Sequence, residues 1–297
     1  MKQRVITGLL AALFGITVLS LMFTPVLGIV LAAVSFIASY EIQHVAKIKN
    51  KLLMIINMIV AAFMPVALEY KLFEKLPFPT YIVAIVYVIL MMFIMLGNYA
   101  KTKFEDVVMS MFCGVIVPYV MTTIILIRDL CLSRPDLFQQ SQVFFIIFTA
   151  LLSAWLNDTF AYFVGSKFGK HKLAPNISPK KSVEGAVGGV VITMLFNLAF
   201  FFIFDYFFFK NDTLKWWMIP GTSMFLSAIS IGGDLSASVI KRNFGAKDFG
   251  TIFPGHGGIM DRFDSYSFVM PTLYALISLV ISLGAVSYTH LRAHETP

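Results

Sequence analysis

The chain has 297 residues, of which 58% are hydrophobic and only 13% charged, with a mean hydropathy of +0.82. Soluble domains carry about 25% charged residues, so a water-soluble globular fold is excluded, and the repeated apolar runs of about 18–25 residues are long enough to cross a hydrocarbon core. The formal charge of +7 is therefore read as membrane orientation and contact with anionic headgroups rather than as a nucleic-acid surface.

The apolar runs lack the alternation of barrel strands, so the spans are helices. In chain order about nine are expected, near 5–24, 26–40, 52–70, 80–98, 107–127, 143–163, 186–209, 216–240 and 266–287. The first follows Lys2 and Arg4 without a small-residue cleavage site and reads as a retained span. Only Thr24-Pro25 separates it from the second. Cys113 lies in an apolar run and Cys131 in a loop, which makes no disulfide framework. No internal repeat is evident, against a repeat-built transporter. The expected organisation is residues 1–142 as about five spans and residues 143–288 as about four, with loops at 164–185 and 241–265. The closing residues SYTHLRAHETP are polar and unpatterned. Residues 289–297 are read as a disordered tail or a non-native addition.

With the N-terminus inside, sixteen of the 23 Lys and Arg fall in cytoplasmic segments and seven outside. This bias puts both long basic loops on the cytoplasmic face. The expected fold is all-α and polytopic, with a polar cavity open to the cytoplasmic side.

Three polar groups stand out. Asp234, in ISIGGDLSASVIKR, lies inside an apolar run. An intramembrane acid costs several kcal/mol unless it meets water, a metal or a partner; Lys241 or Arg242 is the ordinary partner. Asp261 and Asp264, in PGHGGIMDRFDS, are three apart and share a helical face. The glycine loop before them opens a helix, where N–H groups and the dipole favour anions. Acids suited to Mg²⁺ thus stand beside a backbone suited to phosphate, although helix capping explains an isolated D-R-x-D equally. The loop GSKFGKHKLAPNISPKKSVEG binds either anionic headgroups or a polyphosphate gripped by Ser178, Lys180, Lys181 and Ser182, with Glu184 as a cap or supporting group. It contains no Walker A pattern. Asn157 and Asp158 close the run LLSAWLNDTFAYFVG and read as an interhelical hydrogen bond or as part of the same polar site. His256 is a phosphate donor or a plain loop histidine, and it lacks zinc-site spacing.

The stretch Ser238–Asp264, SVIKRNFGAKDFGTIFPGHGGIMDRFD, resembles the signature of the phosphatidate cytidylyltransferase (CDP-diacylglycerol synthase) family. The match runs over Ser238, Lys241-Arg242, Lys247-Asp248, Gly250, Phe253-Pro254, His256-Gly257-Gly258, Asp261-Arg262 and Asp264. Upstream, NDTFAYFVGSKFGKHKLAPNISPKKSVEGAVGG is similar to the family's middle region, so the resemblance covers about the C-terminal half. It implies that CTP and phosphatidate give CDP-diacylglycerol and pyrophosphate with Mg²⁺, a second metal ion being compatible, in a homodimer of the inner membrane with its site facing the cytoplasm. The lipid phosphate is itself the nucleophile, so charge neutralisation and alignment are what the protein must supply. On this reading Asp234, Asp261 and Asp264 are the metal ligands. Lys180, Lys181, Lys247 and Arg262 neutralise phosphates, and His256, Gly257 and Gly258 shape the nucleotide or pyrophosphate loop. Lys241, Arg242, Ser178, Glu184, Asn157 and Asp158 complete the substrate-binding set. A CTP-dependent polyprenol or phytol kinase and an ion or phosphate transporter remain the rival readings.

Overall fold

The computed structural model describes residues 13, 15–209, 214–253 and 257–295, with side chains as far as residue 283. In lipid every backbone polar group must be satisfied internally, and apolar runs of this length achieve that as helices. The described helices, numbered from the first one that is fully delimited, are α1 (Val26–Val45), α2 (Lys51–Glu69), α3 (Thr80–Gly97), α4 (Phe104–Met111), α5 (Val117–Leu132), α6 (Gln140–Phe168), α7 (Val183–Phe208), α8 (Met218–Asn243), α9 (Met260–Phe263) and α10 (Tyr266–Glu295). A π-helical turn, Phe112–Ile116, joins α4 to α5.

Among the described residues eight helical segments are long and apolar enough to cross a membrane. They match eight of the nine expected spans, and the chain is an all-α polytopic membrane protein. Of the remaining expected span, near 5–24, residues 13 and 15–24 are described, with 15–20 helical and a turn over 21–23. Two differences matter. Helix α1 continues past residue 40 to Val45 and so takes in Glu41 and Gln43. Its polar end is tolerated because Gln43 Nε2 donates to Ser39 O and Ser39 Oγ. The loop 164–185 contains two short paired strands, β1 (Lys172–Ala174) and β2 (Ser178–Ser182). The backbone of α10 is helical to Glu295, through most of the polar closing residues.

The chain divides into two compact units. The first takes its described residues from Met1–Ile125, Ala174–Lys180 and Gly232–Ser267. Here α1 packs on α2, and α2 packs on the π-turn and α4. Leu53, Met91, Ile94 and Val107 form one core cluster. Asn50 starts α2 by accepting from Leu52 N and Leu53 N, an N-cap. Asn57 is buried and paired, donating to Leu53 O and accepting from Tyr87 Oη. Tyr266 Oη donates to Met121 O at 2.8 Å.

The second unit takes its residues from Leu126–Leu173, Lys181–Ile231 and Phe268–Pro297. Its spine is the pair α6 and α7. Phe145, Phe201 and Ile219 are buried together, with Phe200 stacked, Phe204 tilted and Phe209 edge-on against Phe145. A polar seam runs between the helices. Asn197 Nδ2 donates to Ser153 Oγ and Ser223 Oγ, and Asn157 Nδ2 donates to Ser227 O and Ser230 Oγ. Small residues let backbones approach, as membrane helix interfaces require. A Cβ at Gly185 would lie 2.6 Å from Ala161 O and 3.0 Å from Gly165 Cα.

That approach gives a direct test. Gly185→Val forces α6 and α7 apart and should cost about 1–3 kcal/mol, the usual range for overpacking. A lowered Tm in detergent would report it, with Val187→Leu on the exposed face of α7 leaving the Tm unchanged.

Candidate active site

The signature stretch begins in the last two turns of α8 and ends at α9. Its anchor is Asp261, which is 7% exposed. Asp261 Oδ1 accepts from the Lys241 ammonium at 2.7 Å. Asp261 Oδ2 accepts from Phe249 N at 2.7 Å and Gly258 N at 2.9 Å. A buried ion pair holds only when its remaining lone pairs are also satisfied, and here three donors meet one carboxylate. The Lys241 ammonium also lies 5.2 Å from the Phe249 ring centroid. Between Phe249 and Asp261, Phe253 N donates to Gly257 O. Gly257 has φ +83°, and a Cβ there would meet Asp261 Oδ2 at 2.7 Å. Only glycine fits both the backbone and the space. His256, with Pro254 and Gly255, lies outside the described residues.

A second carboxylate grips the same loop. Glu41, on α1 and 2% exposed, accepts from Ile259 N at 3.0 Å through Oε1 and from Met260 N at 2.9 Å through Oε2. The sequence reading left the N–H groups of this stretch free for phosphate. In the structure the amides of Gly258, Ile259 and Met260 are all taken by protein carboxylates, because buried N–H groups must be paired. Glu41 was missed because the second span was ended at Tyr40. The signal existed: it is an acid at the end of an apolar run, the property that singled out Asp234.

The remaining expected acids and cations of this unit divide by exposure. Asp264 is buried, and its Oδ1 accepts from Ser265 N. Asp234 is half-buried on α8. Arg242 is exposed and donates to Ala246 O, and Lys247 and Arg262 are exposed. Beside them an open cavity of ≈ 550 Å³ is lined by His44, Lys47, Lys49 and the segment Phe244–Ala246.

Among the described residues no group of three or more His, Cys, Asp or Glu side chains is gathered to hold a metal ion. The charge and the donor type nevertheless suit a hard cation. Three carboxylates of this unit are buried, Glu41, Asp261 and Asp264, against one buried ammonium, Lys241. Carboxylate oxygens are the ligands Mg²⁺ takes.

The expected polyphosphate loop is placed as follows. Ser178 and Lys180 lie on β2 in the first unit, Ser178 half-buried and Lys180 exposed. In the second unit Lys181 pairs with Asp158 at 3.5 Å. Glu184 accepts from Lys170 N and His171 N and meets His171 Nδ1 at 2.6 Å, so it ties down the basic loop. Ser182 caps α7 by accepting from Gly185 N. Asn157 makes the interhelical bonds of the polar seam described above.

Comparison with known proteins gives the same direction. The model of the cytidylyltransferase family matches residues 2–280. The chain belongs to the cytidylyltransferase family. It is 34% identical over 283 residues to the phosphatidate cytidylyltransferase of Bacillus subtilis strain 168, covering 94% of this chain and 98% of that one. It is 45% identical over 131 residues to the phosphatidate cytidylyltransferase of Staphylococcus aureus strain COL, covering 44% and 48% of the two chains. The Staphylococcus saprophyticus protein of the same name is 45% identical over 133 residues.

For a cytidylyltransferase-family chain the Lys241–Asp261 pair makes a separable prediction about stability. Lys241→Met leaves a buried, uncompensated carboxylate and should cost about 3–5 kcal/mol. Adding Asp261→Asn removes that charge and should restore most of the Tm in detergent without restoring turnover.

Proposed function

We propose that this chain transfers the cytidylyl group of CTP to phosphatidate, releasing pyrophosphate and leaving CDP-diacylglycerol in the membrane. The observation that carries the proposal is the signature stretch itself. The described residues of 241–264 lie in one unit, where the buried Asp261 carboxylate is held by Lys241 and by backbone amides, with exposed cations beside it. The likeness to a phosphatidate cytidylyltransferase over nearly its whole length supports it.

In the reaction a phosphate oxygen of phosphatidate forms a bond to the α-phosphorus of CTP. The bond from that phosphorus to the oxygen bridging the β-phosphate breaks, and pyrophosphate leaves with the electron pair. Both reactants are anions, so bringing them together needs positive charge placed in advance. Lys247 and Arg262 supply it from the signature loop, Lys180 from the basic loop, and Arg242 beside Ala246 from the end of α8. The cavity lined by His44, Lys47 and Lys49 offers further cations to a phosphate. Asp234, Asp261 and Asp264 would hold Mg²⁺. Bound there, Mg²⁺ supplies neutralisation of the phosphoryl oxygens during displacement. The site faces the cytoplasm at the cell (inner) membrane on this reading, where CTP is dissolved and the lipid is embedded, and the assembly is a homodimer.

Position-specific radiolabel tests the reaction. Label from α-³²P-CTP should enter the lipid fraction only when phosphatidate is present. Lipid labelled only from the γ-position would establish a kinase, and phosphate or cation flux without CTP consumption would establish a transporter. Asp234→Asn and Asp261→Asn should each lower turnover by at least ~10²-fold, the scale for losing a transition-state charge contact. Near wild-type turnover of either variant at limiting Mg²⁺ would remove it from the metal site.

A further inference from the structure

We infer that Glu41 is the positioning residue of the signature loop, setting the placement of Asp261 and Asp264 from a helix some 220 residues away in sequence. The first unit contains Glu41 and the whole signature, so the brace lies within one unit. Both oxygens of Glu41 are used, one on Ile259 N and one on Met260 N, with separations of 218 and 219 residues. Charge-assisted bonds of this kind are about twice as strong as neutral ones. Met260 is the first residue of α9, so the two bonds fix the start of the turn that carries Asp261.

The loop is also shaped around this carboxylate. A Cβ at Gly250 or at Gly258 would overlap the Glu41 carboxylate, so the backbone closes on it from two sides. Both glycines belong to the signature stretch, and Glu41 gives each a physical reason. Gly258 is shared: its N–H goes to Asp261 while its Cα faces Glu41. The two acids therefore hold consecutive amides, Asp261 that of Gly258 and Glu41 those of Ile259 and Met260. With both oxygens on backbone amides and 2% exposure, Glu41 is built to hold the loop rather than to touch substrate.

The activity arm of the test rests on the proposed reaction, and the exchange arm does not. Glu41→Gln keeps the size of the side chain but replaces one acceptor with an NH₂ that faces an amide donor. In folded Glu41→Gln enzyme kcat should fall about 10- to 100-fold, the scale of an approximately 1 Å misplacement, with KM for CTP and phosphatidate changed much less. Hydrogen–deuterium exchange of the peptide covering 257–265 should accelerate while α2, α3 and α6 keep their protection. Glu41→Asp should recover part of both, since it restores the two acceptors at a shorter reach. If Glu41→Gln fails to fold, Glu41→Asp alone carries the test, with an intermediate kcat and a locally faster exchange expected. Unchanged kcat in the folded variants overturns the inference. So does a fall in kcat with unchanged exchange at 257–265, which would make Glu41 a substrate contact. If the wild-type protein forms no CDP-lipid, the proposed reaction fails, and local exchange in the variants still decides whether Glu41 braces the loop.

Discussion

Burying the Asp261 carboxylate is the act on which the rest of the first unit depends. In a chain with so few charges, an ionised group away from water is tolerated only when its charge is compensated and both of its oxygens are hydrogen-bonded. Asp261 meets both conditions with the Lys241 ammonium and two backbone amides. Meeting them ties three distant parts of the stretch together: the end of α8 through Lys241, the loop through Phe249 and Gly258, and α9 itself. The glycine at 257 follows from the same demand, because its positive φ turns the chain so that Gly258 N reaches the carboxylate.

Most of the architecture was legible in the sequence because lipid leaves few choices. Apolar runs of span length become helices, and eight of them did so at the expected places. The ends were less legible, since a polar residue at a helix terminus looks alike whether it faces water or is buried. Helix α1 shows this. The expected span ends at residue 40, yet Glu41 and Gln43 just past it are helical and buried, while His44 is exposed. Pairing 218 residues apart leaves no local pattern, and the only trace was an acid where an apolar run should end.

Within the signature, residue types were legible and their partners were not. The sequence grouped Asp261 with Lys241 and Gly258 by motif, and the structure joins these three directly. It could not show that Lys241 serves Asp261 and is withdrawn from solvent, while Arg242, its neighbour, stays exposed. Consecutive residues on a helix point about 100° apart, so one faces the unit and the next faces water. The basic loop behaves in the same way. Lys180 is exposed on β2, Lys181 turns to Asp158, and Glu184 spends its carboxylate on the backbone at Lys170 and His171.

A division of labour follows from exposure. Three buried charged groups of the first unit act on the loop: Glu41 and Asp261 hold its backbone amides, and Lys241 holds Asp261. The exposed cations, Arg242, Lys247 and Arg262, are attached to that fixed backbone and reach water. An enzyme that joins two anions needs cations that are mobile enough to meet phosphates but mounted on a frame that does not yield when they do. Long side chains on a clamped loop satisfy both requirements. The same logic explains why a buried acid is worth its desolvation here. A hydrophobic residue at position 41 would leave the amides of Ile259 and Met260 without acceptors, and one at position 261 those of Phe249 and Gly258.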